Sequence, residues 1–377
     1  MKIAFYAPLK PLDSPVPSGD RQMGRMIVRA LGMAGHAVIQ PSRLRLWLRE
    51  GGVEAQKEKE RAAIAEAQSL IERFRDEGAP DLWLTYHLYH KAPDWLGTRV
   101  ADALSIPYIA MEASRAERRR EGPWAYGFAA AETMLKRADA VIACHRRDAA
   151  GLAAVVAPER LTILPPFIDA APFTASERLS VAGGPMRLVT VAMMRAGDKM
   201  ASYRVLAEAL GQIGDLDWTL RLVGDGEMRE TVLALLPRER VEWRGELAPD
   251  EIAGVYADAD LFVWPAVNEA YGLVFLEAQA SGLTVVAGAA GGVPDIVRDG
   301  ETGWLAPVGD ATAFAKALRI ALADRTRLAA MGGRARTHVL ENHDIHAASS
   351  RLDAIVRQTC NAYRGSSAPS CRQNQQS

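Results

Sequence analysis

Short apolar runs alternate with amphipathic, charged stretches along most of the chain. In the first half the runs are KIAFYAP at 2–8, DLWLTY at 81–86, IPYIAM at 106–111, AVIAC at 140–144 and LTILPPF at 161–167. In the second half they are MRLVTVAMM at 186–194, WTLRLVG at 218–224, VEWRGE at 241–246, DLFVWP at 260–265 and LTVVA at 283–287. Runs this short, rich in β-branched and aromatic residues and closed by Gly or Pro, read as strands buried on both faces. The segments between them carry helical periodicity, as in RQMGRMIVRALGMAG at 21–35 and SYRVLAEALGQI at 202–213. Strand and helix in regular alternation predict an α/β fold with parallel sheets. Residues 42–77 are charged and expected to be helical, largely as a solvated face with i,i+4 ion pairs. Three helical stretches close the chain, 311–324, 325–343 and 346–364.

A length of 377 residues is too great for one ordinary core and suits two domains. The expected boundaries are a first domain over 1–169, a Pro/Ser/Gly/Ala linker over 170–185, a second domain over 186–344, a final helix over 345–364 and a disordered tail over 365–377. Net charge of −1 with 24% charged residues gives no reason to expect a nucleic-acid partner. The three cysteines, Cys144, Cys360 and Cys371, have neither metal-ligand spacing nor a disulfide framework, which favours a reducing cytoplasm. The chain opens directly on a strand, without the apolar core of a signal peptide. The longest uncharged run, 278–294, is broken by glycines, so no bilayer-spanning segment is expected. The first strand is not followed by GxGxxG, which argues against a dinucleotide site.

The candidate chemistry concentrates in NEAYGLVFLEAQASG at 268–282, between the runs 260–265 and 283–287. A strand, a turn, a helix and a return strand form one unit of a parallel sheet, and ligands collect at the carboxyl ends of such strands. A helix beginning near 271 or 272 would offer the N–H groups of Tyr271, Gly272 and Leu273 to a phosphate, with Ala270 in the turn before them. Glu269 in the turn and Glu277 about one turn into the helix cannot bind phosphate themselves, because like charges repel. They suit sugar and ribose hydroxyls. Either glutamate alone would equally be explained as a complement to the helix dipole. Arg195 and Lys199, in the loop after 186–194, can neutralise a diphosphate. Gly224 and Gly226 form a turn able to line a nucleotide. Ser18 and Gly19 open the first helix, by ordinary capping or by approach to a ligand.

The E-x(7)-E spacing, with an aromatic and a glycine at its second and third intervening positions and a strand on either side, resembles the retaining glycosyltransferases of the GT-B fold, in the group 1 family (family four). The similarity is strong over about 186–310, including GGVPDIVRDGETGWLAPVGD at 291–310, and faint over the first domain. It implies two Rossmann-like domains facing across a cleft, with the C-terminal helix crossing back to the first. The second domain would bind a nucleoside diphosphate sugar and the first a carbohydrate or lipid-linked acceptor. The implied reaction is glycosyl transfer with retention, independent of metal and of any cofactor. Glu269, Arg195 and Lys199 would be catalytic. Gly19, Gly224, Ala270, Tyr271, Gly272, Leu273 and Glu277 would bind the donor.

Two positions depart from the family pattern. Asp295 stands where glutamate is usual, and Glu112 stands at the end of the IPYIAM run where a histidine is usual, leaving His87 and Glu112 as the acceptor-side candidates. Other readings consistent with the residues are a sugar-nucleotide-binding protein without transferase activity, or another GT-B enzyme such as a phosphorylase or epimerase. The basic, aromatic stretches 42–50 and 114–127 are either solvated surface or a contact for an anionic membrane, which would place the protein in the cytoplasm or at the inner membrane face.

Overall fold

The computed structural model describes residues 1–15, 18–175, 183–270 and 272–367. They divide into two compact units, one of Met1–Leu164 together with the chain from Ala348 onward, the other of Pro165–Ala347.

The first unit is a six-stranded sheet of β1 (Lys2–Tyr6), β2 (Ala37–Ile39), β3 (Leu82–Tyr86), β4 (Tyr108–Met111), β5 (Ala140–Ala143) and β6 (Leu161–Ile163), in the order β2-β1-β3-β4-β5-β6. All its pairings are parallel. β3 and β4 are buried along their whole length, as their continuous apolar sequences require. The helix Gly19–Met33 turns Met23, Ile27, Ala30 and Leu31 inward at helical spacing. The final helix, Ile345–Ser367, joins this unit from Ala348 on. It rests against the first helix, where Ser349 Oγ donates to the Ala30 carbonyl (2.7 Å), and Asp353 pairs with the buried His36 (2.9 Å).

The second unit is built alike, from β7 (Met186–Val191), β8 (Trp218–Val223), β9 (Val241–Trp243), β10 (Leu261–Trp264), β11 (Thr284–Gly288) and β12 (Gly303–Ala306). Its order is β12-β11-β10-β7-β8-β9, again wholly parallel. Of the stretch 170–185, Ala171–Ala175 forms a short helix that buries Phe173. Among the described residues no helix is long and apolar enough to cross a membrane.

One expectation fails. Residues 42–52 are not helical; the helix starts only at Val53, after Gly51 and Gly52. Arg43, Leu44, Arg45 and Leu46 alternate with period two, which is the pattern of an extended chain. Leu46 is fully buried and its N–H bonds the Pro8 carbonyl (2.9 Å), while Arg45 lies over the Trp47 ring (4.6 Å).

The first core contains a fully buried carboxyl, Asp94. It receives the Thr85 hydroxyl, the Tyr108 hydroxyl (3.1 Å) and the Gly97 N–H (2.7 Å). Burial pushes its pKa up against these bonds. Asp94→Ala leaves three buried donors unpaired and is expected to cost about 3 kcal/mol. The measurement is the urea midpoint followed by circular dichroism, and an unchanged midpoint would show the network to be dispensable.

Candidate functional site

In the second sheet the chain runs outward from β7 through β8 to β9, then returns to place β10 on the other side of β7. The loops after β7 and β10 therefore diverge, and the gap between them is the ligand position of doubly wound sheets. Lys199, near the start of the helix Asp198–Gly211, comes from the first loop; Glu269 comes from the second. Lys199 Nζ donates to Glu269 Oε2 at 2.6 Å, and the same ammonium lies 5.5 Å from the Trp264 ring centre. Two further bonds tie the loops together, Asn268 Nδ2 to Asp198 (2.7 Å) and the Val267 N–H to Ser202 Oγ (2.9 Å). Ala266 and Asn268 both take left-handed backbone, with φ of 52° and 56°. A Cβ on Gly291 would collide with the Glu269 carbonyl, so glycine is what lets the following loop lie against this one.

The helix after this loop spans Leu273–Ala280, with Gly272 as its left-handed N-cap (φ 65°). It begins later than the expected 271 or 272, because the left-handed glycine cannot be its first helical residue. The Phe275 N–H closes the first turn on the Gly272 carbonyl (2.8 Å), so Leu273 and Val274 carry the N–H groups without intrahelical partners. Tyr271 lies outside the described residues, and Ala270 is exposed. Arg195 is exposed as well, whereas Lys199 is already paired. Gly224 is clamped between loops, its N–H on the Gly245 carbonyl (2.7 Å) and its own carbonyl receiving Trp243 Nε1 (2.8 Å).

Glu277 is more enclosed than its spacing suggested, with only 9% of its surface exposed. Burial raises its pKa to about 7, although the Tyr256 hydroxyl donates to it at 3.2 Å. Nothing in the sequence pairs Tyr256 with Glu277, since the tyrosine belongs to a separate helix, Pro249–Ala257.

In the first unit the strand order reverses between β1 and its neighbours β2 and β3. Here a cavity of about 450 Å³ opens, within the range of ligand sites, lined by Asp20, Trp47, His87, Tyr89, Glu112 and Asp148 among others. Gly19 begins the helix beneath Ser18, whose Oγ accepts from the Arg21 N–H (3.3 Å) and from Lys10 (3.0 Å). His87 follows β3 and Glu112 follows β4, and they pair at 2.9 Å. Asp20, in the first turn of that helix, meets the other imidazole nitrogen at 3.2 Å. His90 is instead a packing residue, edge-on to Trp124, with burial and nearby arginines pushing it down to about 4.

Asp20, His87 and Glu112 are also the one group of described residues whose possible ligand atoms all lie within 4.8 Å. Both imidazole nitrogens already face carboxylates, Asp20 through a hydrogen bond at 3.2 Å and Glu112 as an ion pair at 2.9 Å, which makes this a charge-paired triad rather than an open coordination set. In the basic stretch 114–127, Arg115 and Arg120 are engaged by Glu117 and Glu132.

Residues 185–324 match the family model described as glycosyl transferases group 1. This segment is similar to the group 1 glycosyltransferases. Among curated relatives, it is 38% identical over 136 residues to a sulfoquinovosyl transferase of Arabidopsis thaliana, covering 35% of this chain and 26% of that one. It is 30% identical over 251 residues to a GDP-mannose-dependent phosphatidylinositol monomannoside mannosyltransferase of Mycolicibacterium smegmatis, covering 60% and 65%. The aligned segments thus span between 26% and 65% of these relatives' lengths. The fold is GT-B. A sucrose-phosphate synthase of Thermosynechococcus elongatus superposes with a TM-score of 0.73 at 20% identity, covering 96% of this chain and 99% of that one. The Anabaena protein HepE, solved with UDP-glucose, gives 0.69 at 16%, covering 95% and 100%. The group 1 match contains Arg195, Lys199, Gly224, Glu269, Gly272 and Glu277, and stops short of every residue of the first unit's cavity.

Glu277 makes stability depend on pH. Its folded pKa, about 7, lies above its ordinary 4.5, so the folded protein keeps a proton that the unfolded chain releases. Stability is therefore expected to fall as pH rises from 4.5 through 7. Without ligand, Glu277→Gln should match wild type at pH 4 and exceed it by roughly 2 to 3 kcal/mol at pH 8. Chemical denaturation at the two pH values measures this, and a constant difference would place the titration elsewhere.

Proposed function

We propose that the protein is a retaining glycosyltransferase that moves a sugar from a nucleoside diphosphate sugar to an acceptor hydroxyl. The second unit would hold the donor, and the acceptor, a glycan, glycolipid or small molecule, would enter the first unit's cavity. The observation that carries this reading is the Lys199–Glu269 pair spanning the β7/β10 gap beside the start of the helix Leu273–Ala280.

Departure of the nucleoside diphosphate places negative charge on a phosphate oxygen. Preorganised cations and helix N–H groups lower the energy of that charge most when it is fully developed. On this reading Lys199 leaves Glu269 for the diphosphate, Arg195 joins it, and the Leu273 and Val274 N–H groups bind the same anion. Glu269, freed of its ammonium, turns to the donor sugar hydroxyls. Glu277 accepts the ribose hydroxyls. It does so as a carboxylate, so donor binding releases the proton that burial retains. No metal is required for this scheme. The relatives and neighbours support the donor class: one is named as GDP-mannose-dependent, another was solved with UDP-glucose.

A thermal-shift panel of UDP-glucose, GDP-mannose and ADP-glucose identifies the donor, because a ligand of the folded state raises its stability. The active sugar nucleotide should bind about tenfold more tightly at pH 8 than at pH 5.5, and Glu277→Gln should remove both the affinity and its pH dependence. No shift with any nucleotide sugar sinks the proposal. Lys199→Ala should lower turnover by about 100-fold or more with a smaller loss of donor affinity. Turnover of the wild type should survive EDTA, and its loss would contradict the metal-free scheme.

A further inference from the structure

The two basic stretches, 42–50 and 114–127, are distant in sequence and meet in the first unit. Gly51 lies so close to the second stretch that an added Cβ would stand 2.7 Å from the Pro123 carbonyl oxygen. Gln56 fastens the same junction, its Nε2 donating to the Pro123 carbonyl (2.8 Å) and its Oε1 receiving the Gly127 N–H (2.7 Å). The loop after β3 completes the surface. The Leu48 N–H bonds the Lys91 carbonyl (3.1 Å), and Lys91 Nζ stands 5.2 Å from the centre of the buried Trp124 ring. Three loops that the sequence keeps apart thus form one face.

Ion pairing sorts the cations of that face. Glu117 and Glu132 take Arg115 and Arg120, and Glu54 takes Lys57. Lys91, Arg118 and Arg119 have no acidic partner among the described residues. All three act on His90, edge-on to Trp124 at 5.5 Å, and join burial in pushing its pKa down to about 4. Cations gathered in this way repel one another and gain by meeting an anion. Arg49 is exposed at the same junction, and Glu50 and Glu121 are the exposed acids of these loops, so the balance of the face stays positive. In a chain whose net charge is −1, such a face is not a by-product of composition.

The face adjoins the cavity. Each of its three loops gives the cavity one side chain, Trp47, Tyr89 or Ser114, before running on to the basic residues. None of Lys91, Arg118 and Arg119 lines the cavity itself, so they are not arranged around a solute held there. A layer of lipid phosphates meets all three at once.

We propose that this face docks the first unit on an anionic lipid surface, with Lys91, Arg118 and Arg119 over the lipid phosphates. The cavity beside them would then take an acceptor carried by the membrane, a part of the inference that rests on the glycosyltransferase reading given above. No helix among the described residues can span a bilayer, so this attachment is electrostatic and weakens as salt screens it.

Co-sedimentation of the full chain with vesicles is the test. Wild type should bind vesicles of mixed phosphatidylglycerol and phosphatidylcholine at about 50 mM salt, leave them at about 500 mM, and ignore phosphatidylcholine alone. Replacing Lys91, Arg118 and Arg119 together by alanine should lower the partition coefficient roughly 100-fold. Arg118→Ala with Arg119→Ala, which leaves the Lys91 contact to Trp124 in place, is the companion variant if the triple one does not fold, with a loss of roughly 30-fold. A control that removes three exposed cations elsewhere, Arg61→Ala, Arg75→Ala and Lys316→Ala, should keep most of the binding. Soluble glycerol 3-phosphate in excess over lipid should not displace the protein; displacement would give the face to a small phosphate ester and overturn the proposal. Absence of binding, equal binding to neutral vesicles, or an equal loss in the control also overturns it. Vesicle binding requires no turnover, so failure of every sugar nucleotide in the thermal-shift panel counts against the glycosyltransferase reading and leaves the docking result standing.

Discussion

A parallel sheet delivers every strand to the same edge, and adjacent loops close over one another unless the winding reverses. Each unit reverses once, at β1 in the first and between β7 and β10 in the second. Everything proposed for function depends on those two gaps. In the second unit the gap is bridged by the Lys199–Glu269 ion pair, which neutralises two partly buried charges. In the first unit Asp20, His87 and Glu112 come from three separate elements and meet only because β1, β3 and β4 end side by side.

The two sites share a device. Each contains a carboxyl, Glu277 or Glu112, that burial pushes towards its protonated form. In a medium that solvates charge poorly, such a group ionises only when a donor arrives, whether a tyrosine hydroxyl, an imidazole or a ligand hydroxyl. Glu277 has one such partner in Tyr256, and in the proposed function a ribose hydroxyl would be another. Glu112 has His87, through which it reaches Asp20.

The sheets were legible because their strands are continuous apolar runs closed by Gly or Pro, a signal that survives without tertiary context. The stretch 268–282 was legible for the same reason, since its strand, turn, helix and two glutamates lie within one short segment. Residues 42–50 misled because their charge suggested a solvated helix, while the alternation of arginine and leucine described the extended chain that forms. The helix start was misplaced because Gly272 takes left-handed backbone and caps the helix instead of opening it.

By itself the sequence determined the fold class, the strands around the donor segment and the identity of Glu269, Glu277, Arg195 and Lys199 as its candidate chemistry. Periodicity and local motifs act over a few residues, and these features are local. Only the tertiary structure decided that Lys199 is paired while Arg195 is exposed, that Tyr256 supports Glu277, and that Asp20 joins His87 and Glu112. Those partners lie 21 to 92 positions apart. Through-space charge and hydrogen bonding have no period in the chain, and the order of strands in the sheet is what brings such residues together.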